Sequence, residues 1–193
     1  SEMCIRDRPR VAAIDFGWDH PTAVVWCAID QEEDTFYIYD CYRASKASPS
    51  VHASIIKQRP SFIPIVYPHD GNRRDSMGNP GLAEQYRGHG CNFTLDHFHN
   101  PPGLGQVKGS NSVEEGLMAM LQSMEAGKFK VFSTLPDWFE EYRMYHRKDN
   151  KVVAIRDDLM SATRYAFQSQ RHAVAGSDPT WTNNLNYGEY GIV

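Results

Sequence analysis

The chain has 193 residues, a formal net charge of −4 and an apolar fraction of 41%, enough for one domain with a real core, or one domain with a tail. No apolar run approaches the roughly 18 residues that a membrane span needs, and no secretory apolar stretch is present. The acidic balance argues against a wholly basic nucleic-acid coat, although a carboxylate-rich metal site would itself make a chain acidic.

Cys4, Cys27, Cys41 and Cys91 share no metal-type spacing. Three of them lie in apolar or strand-like surroundings, so free thiols in a reducing cytosol are expected rather than a disulfide frame. Ser1 to Pro9 is polar and charged and is expected to be a disordered or non-native lead-in, so the chain reads as a domain cut from, or following, something larger.

Val11 to Phe16 predicts the first strand, and Gly17 to Pro21 a tight turn. Thr22 to Asp30 is the second strand, Asp30 to Asp34 an acidic turn, and Thr35 to Arg43, rich in aromatic and β-branched residues, the third. Turns this short require an antiparallel meander. Ser48-Pro49 opens a helix through about Arg59. Phe62 to Tyr67 is a continuous apolar run of the kind buried on both faces, the fourth strand, and it ends in Pro68-His69-Asp70-Gly71.

Gly81 to Gly88 reads as a short helix, Asn92 to Phe98 as a fifth strand, and Asn100 to Gly109 as loop. Asn111 to Gly127 is the clearest helix: Ser112 caps it, Glu114 and Glu115 load its first turn, and Val113, Leu117, Met120, Leu121 and Met124 form an apolar stripe. Lys128 to Ser133 is a short strand, Pro136 to Tyr145 an aromatic helix, and Lys148 to Ile155 a hairpin turning at Asp149-Asn150. Asp158 to Gln170 is the last helix, with Leu159, Thr163, Ala166 and Phe167 inward, and a tail follows His172. The order β-β-β-α-β-α-β-α-β-α-α implies an α/β fold, a mixed sheet flanked by helices.

A buried strand has no physical use for a charge, yet the first strand carries Asp15 at its end. Burying a carboxylate is costly without a partner or a metal. Asp70 follows the fourth strand, and Asp157-Asp158 opens the last helix. Sites in open α/β sheets form beyond the carboxyl ends of strands, so Asp15 and Asp70 meet if the first and fourth strands are parallel neighbours. Each acid also has a plain reading, as a turn residue or a helix-cap and dipole residue. Clustered carboxylates ionise together only beside a cation, and hard oxygen ligands select Mg²⁺ or Mn²⁺ over zinc. Two such ions about 3.5–4 Å apart stabilise both oxygens of a phosphoryl displacement.

Six stretches carry a resemblance: Ala-Ile-Asp-Phe-Gly-Trp-Asp-His-Pro from residue 13, Tyr-Pro-His-Asp-Gly, Asn-Ser-Val-Glu-Glu-Gly-Leu, Lys-Phe-Lys-Val-Phe-Ser, Tyr-His-Arg-Lys-Asp and Arg-Asp-Asp-Leu-Met-Ser-Ala-Thr-Arg-Tyr-Ala. In this order, from Val11 to about Arg171, the chain resembles the C-terminal nuclease domain of the large terminase subunit of tailed bacteriophages. The resemblance implies a ribonuclease H-like mixed sheet of five to seven strands over residues 10–171, with 172–193 as a C-terminal tail. It implies catalytic and metal-ligating roles for Asp15, Asp70 and Asp158, with Asp157 as an alternate or second-metal ligand. Some relatives have an acidic residue where this chain has Ser161, which leaves open which of Asp157 and Asp158 does most of the ligation.

The activity implied is two-metal cleavage of concatemeric double-stranded DNA by an endodeoxyribonuclease with Mg²⁺ or Mn²⁺. The partners implied are a packaging ATPase domain, the portal and the small terminase subunit, in the host cytoplasm. No Gly-x-x-x-x-Gly-Lys-Ser/Thr loop occurs in the chain, so ATP hydrolysis is not expected of it. A resolvase- or integrase-type nuclease of the same fold, and a non-catalytic portal or motor docking module, are the alternatives.

DNA contact requires cations near the acids. Arg143, Arg147, Lys148, Lys151 and Arg156 lead into the Asp157 site, Arg73 and Arg74 neighbour Asp70, and Lys108 lies in a glycine-rich loop. His20 and His69 stand close to the expected site in sequence, as candidates to tune it or orient water. His97 and His99 lack a third ligand at zinc-like spacing.

Overall fold

The computed structural model describes residues 5–74, 76–148, 151–152 and 157–176, with the backbone alone for 147–148 and 151–152. Three long strands form its centre: β1 (Arg10–Asp15), β2 (Thr22–Asp30) and β3 (Thr35–Ala44). They pair antiparallel as the short turns require, with a register shift between Trp26 and Cys27. Two short strands, β4 (Ile65–Val66) and β5 (Phe129–Val131), extend the sheet by parallel pairing with β1 and β3, giving the order β4-β1-β2-β3-β5.

Strand alternation sorts the side chains onto two faces. Asp15, Ala23 and Arg43 are opposite one another across three strands, so they share a face. Arg43 reaches α4 (Pro136–Met144), and α5 (Asp158–Gln168) packs on β1, β2 and β3. The next residues along, Phe16 and Tyr42, point the other way. Phe16 packs on Tyr86 of α2 (Leu82–Gly88), and Tyr42 bonds His52 of α1 (Pro49–Ile56) at 3.0 Å. The fold is therefore a helix–sheet–helix sandwich with a mixed sheet in its middle, most of it buried.

Several expectations are revised. The fourth strand shortens to two residues because Pro64 has no N–H for the ladder, although its carbonyl still accepts from Ala12 at 2.9 Å. The segment 92–98 is not a regular strand. It lies along the sheet edge, with Phe93 bridged in parallel to Ile65, and its chain turns where Thr94 Oγ1 donates to the Asp96 carbonyl.

The helix α3 (Val113–Glu125) keeps its Ser112 cap, at 3.3 Å from the Glu115 amide, but not the whole apolar stripe. Met120 is buried and Met124 half-buried, whereas Val113 and Leu121 are exposed. The buried position on that face is Gly116, where a Cβ would stand 2.8 Å from the Arg164 stem. Backbone contact with α5 replaces side-chain interdigitation there.

The hairpin is present as β6 (Arg147–Lys148) paired with β7 (Lys151–Val152), while its turn at 149–150 and residues 153–156 lie outside the described residues. The expected lead-in is packed from Ile5 onward: Ile5 is fully buried and Arg8 pairs with Asp30. At the other end, Val174 pairs with Arg10 and the Gly176 carbonyl accepts from the Arg10 guanidinium at 3.0 Å, so residues 173–176 also rest on the domain. Cys27, Cys41 and Cys91 are free thiols. Among the described residues no helix is long and apolar enough to cross a membrane.

Candidate metal centre

Parallel pairing aligns Ala12 with Ile65 and Ala13 with Val66, so β1 and β4 release their chains at one edge of the sheet. Asp15 is the last residue of β1, and Asp70 lies in a single 3₁₀ turn, His69–Asn72, just past β4. Two glycines set this corner. At Gly17 a Cβ would stand 2.3 Å from the His20 carbonyl oxygen, and at Gly71 one would stand 2.7 Å from Phe16 and 2.8 Å from Tyr67. The turn after Asp15 therefore folds back tightly, and the turn carrying Asp70 sits directly on the Phe16 ring.

The N-terminus of α5 supplies the other two acids, Asp157 at the N-cap and Asp158 as the first helical residue. The electrostatics place all four carboxylates in one field. Burial pushes the Asp15 carboxyl up to about 8, reinforced by repulsion from Asp158, Asp70 and Asp157. Asp157 and Asp158 are both held above the usual carboxylate range, first by burial, while His20 lowers each of them. Asp70 Oδ1 is buried and has no hydrogen-bond partner.

Among the described residues no three His, Cys, Asp or Glu side chains form a ready-made metal cage. Four like charges in one field repel one another. The fit to a divalent cation rests instead on the donor set, hard carboxylate oxygens only, and on the orphaned oxygen of Asp70. His97 and His99 have ring centroids 4.3 Å apart, with His69 6.3 Å from His97, and this trio is likewise no cage.

Four further residues shape the corner. Arg43 donates to Glu141 at 3.0 Å and also pairs with Asp137 and Glu140. Glu141, fully buried, accepts from the backbone N–H of Leu159 at 2.7 Å. Arg164, on α5, lowers Asp15 and Asp157 and stacks over Tyr165, whose hydroxyl is raised first by burial and then by Asp15, Asp70 and Asp157. Only Glu141 left a legible signal, an acid three residues after Trp138 on the apolar side of its helix. Arg43 joins Asp15 through strand register alone.

The expected DNA-facing cations are distributed more widely. Arg73, Arg74, Lys108 and Arg143 are exposed, Arg74 pairing with Glu84 at 3.2 Å. Arg147, Lys148 and Lys151 belong to the two-stranded ladder, and Arg156 lies outside the described residues. His20 is exposed beside Asp157 and Asp158, and His69 is exposed next to Asp70.

The sheet order, the half-buried carboxylate ending an interior strand and the acidic start of the last helix define a ribonuclease H-like domain. The chain belongs to the terminase RNaseH-like domain family, whose model matches residues 12–170. It is 36% identical over 164 residues to the large terminase subunit of Salmonella phage P22, an alignment covering 84% of this chain and 32% of that protein. The chain thus spans about a third of the length of the curated relatives it matches. The solved nuclease domain of the P22 large terminase superposes with a TM-score of 0.79 at 34% identity, covering 90% of this chain and 87% of that one. The large terminase nuclease domain of bacteriophage SPP1, solved with bound Mn, shares the fold at a TM-score of 0.51 and 17% identity, covering 86% and 87%.

Proposed function

We propose that this domain is a metal-dependent endodeoxyribonuclease that cuts concatemeric double-stranded DNA during phage genome packaging. The observation that carries the reading is the convergence of Asp15, Asp70, Asp157 and Asp158, felt by Asp15 as a carboxyl pushed up to about 8. An arrangement that holds four acids in partial burial is electrostatically unfavourable by itself. It becomes favourable where a divalent cation is held, and the Mn in the SPP1 domain is consistent with that.

Asp15, Asp70 and Asp158 are assigned to hold two Mg²⁺ or Mn²⁺ ions, with Asp157 completing the set. The chemistry such ions supply is Lewis-acid polarisation of a phosphoryl oxygen and a lowered pKa for a water. The chain's own residues prepare the site for it. Gly17 and Gly71 keep the strand ends close, Glu141 and Arg43 set the start of α5, and His20 offsets negative charge at Asp157 and Asp158. No Ser, Cys or His nucleophile is required.

Arg73, Arg74, Lys108 and Arg143, with Arg147, Lys148, Lys151 and Arg156 of the hairpin region, are assigned to the phosphate backbone. Such contacts position DNA without reading bases, so sequence preference is low. The packaging ATPase domain, the portal and the small terminase subunit are the proposed partners, in the host cytoplasm at the procapsid.

The test is cleavage of supercoiled plasmid with Mn²⁺, Mg²⁺ or EDTA, beside Asp15→Asn. Metal-dependent nicking that vanishes in the variant is the expected result. Activity surviving in the variant would refute the assignment of Asp15. No cleavage together with no Mn²⁺ binding by calorimetry would favour a docking module.

A further inference from the structure

The N-terminus of α5 is capped in an unusual way. The N-cap residue of a helix ordinarily accepts a hydrogen bond from an amide two or three residues on, which satisfies one of the otherwise unpaired N–H groups. Asp157 stands at that position with a side chain well suited to the task, yet it makes no cap hydrogen bond. The Leu159 amide is taken instead by Glu141, which reaches across from α4 at 2.7 Å. Glu141 is fully buried, and its other oxygen accepts from Arg43 at 3.0 Å. Arg43 is itself fixed by Asp137 and Glu140.

We infer that Glu141 is a positioning residue: by capping α5 from outside, it relieves Asp157 of that duty and leaves both Asp157 and Asp158 available to a divalent cation. This inference rests on the proposed metal site. A helix start has several free N–H groups, and an ionised acid at the N-cap competes for them at close range. Without Glu141, Asp157 turns back onto the Leu159 amide and the donor set loses an acid. Groups that orient metal ligands from one shell out typically change metal affinity by about 10–100-fold when removed.

The experiment is Mn²⁺ titration calorimetry on the chain and on Glu141→Leu, Glu141→Asp and Glu141→Gln, with thermal unfolding and the NMR shift of the Leu159 amide recorded for each. Leu keeps the volume and loses the acceptor. Asp keeps the charge but is one methylene shorter. Gln keeps an acceptor in place. The expected result is Mn²⁺ affinity about tenfold or more weaker for Leu and Asp, with Gln within about threefold of the unaltered chain. The Leu159 amide should move on loss of the buried acceptor in Leu and Asp and stay near its place in Gln.

Folded Leu and Asp variants that bind Mn²⁺ as the unaltered chain does would overturn the inference. Should Glu141→Leu fail to fold, the Asp and Gln pair decides it in the same way. An unaltered chain that binds no Mn²⁺ would refute the metal reading itself, and the Leu159 shift then still decides whether Glu141 is the cap.

Discussion

Asp15 contributes to the pH behaviour of the domain, beside Asp157, Asp158 and Glu141, which are also held above the usual carboxylate range. Its folded pKa is near 8 against an ordinary value of 3.8, so between about pH 4 and pH 8 the folded chain binds a proton that the unfolded chain releases. Stability contributed by this group is therefore present at low pH and declines as pH rises through that window, because the state that binds more protons is favoured by acid. Unfolding followed by calorimetry in EDTA should show the midpoint falling from pH 5 to pH 8, with Asp15→Asn flattening the fall. Mn²⁺ favours the ionised form, so its stabilising effect should grow over the same range. Gly71 tests the geometry of the same corner. Gly71→Ala would press a Cβ onto Phe16 and Tyr67, and overpacking of this kind destabilises by about 1–3 kcal/mol. Chemical denaturation should register that loss, together with weaker Mn²⁺ binding as the Asp70 turn is displaced.

At the scale of elements, the two outer strands are the thinnest part of the design. β4 contributes only two ladder residues, yet it fixes where Asp70 emerges relative to Asp15. The site thus depends on a short parallel pairing held in place by its packing, and Tyr67, fully buried just beyond it, donates to Asn72 of the Asp70 turn at 3.1 Å. By contrast, α3 can be weakened without touching the corner. Ser112→Ala removes the acceptor for the Glu115 amide and should cost about 1 kcal/mol. A lowered midpoint with unchanged Mn²⁺ affinity would separate helix stability from site geometry, and a parallel loss of affinity would contradict that separation.

Over the whole molecule, the acids are gathered at one corner while the chain as a whole is only mildly acidic, at −4. On the proposed function, DNA would approach a negative centre through flanking cations, so binding should be weak and strongly salt-dependent. Arg73→Ala should weaken binding of unrelated duplexes about equally and lower the magnitude of the log–log salt slope by about 1, measurable by anisotropy titration between 50 and 200 mM salt. An unchanged slope would remove Arg73 from the DNA path.

Much of this was legible in the residues. Strand alternation, turn glycines and the Ser112 cap are local consequences of side-chain shape and hydrogen bonding, and they gave β1 to β3 and the helices nearly residue by residue. The apolar run ending in Asp15 marked the proposed site, because a charge at a strand end needs a reason. Other features depended on distant parts of the chain meeting. Segment 92–98 has strand-like residues but only bridges the edge: Ile65 bonds Asn92 and Thr94, and the chain then turns where Thr94 Oγ1 donates to the Asp96 carbonyl. The inner face of α3 narrowed to Gly116 and Met120 because the Arg164 and Gln168 side chains of α5 lie against the Gly116 backbone. Arg43 became part of the corner only through its register with Ala23 and Asp15, and Asp157 was released from capping only because Glu141 arrives from another helix. Sequence by itself settled most of the elements and pointed to the chemical type of the proposed site, since both follow from short-range periodicity and residue chemistry. Which acids share a field, and which of them the proposed site leaves to a cation, was decided by tertiary packing, because those interactions join residues up to 143 positions apart, as from Asp15 to Asp158.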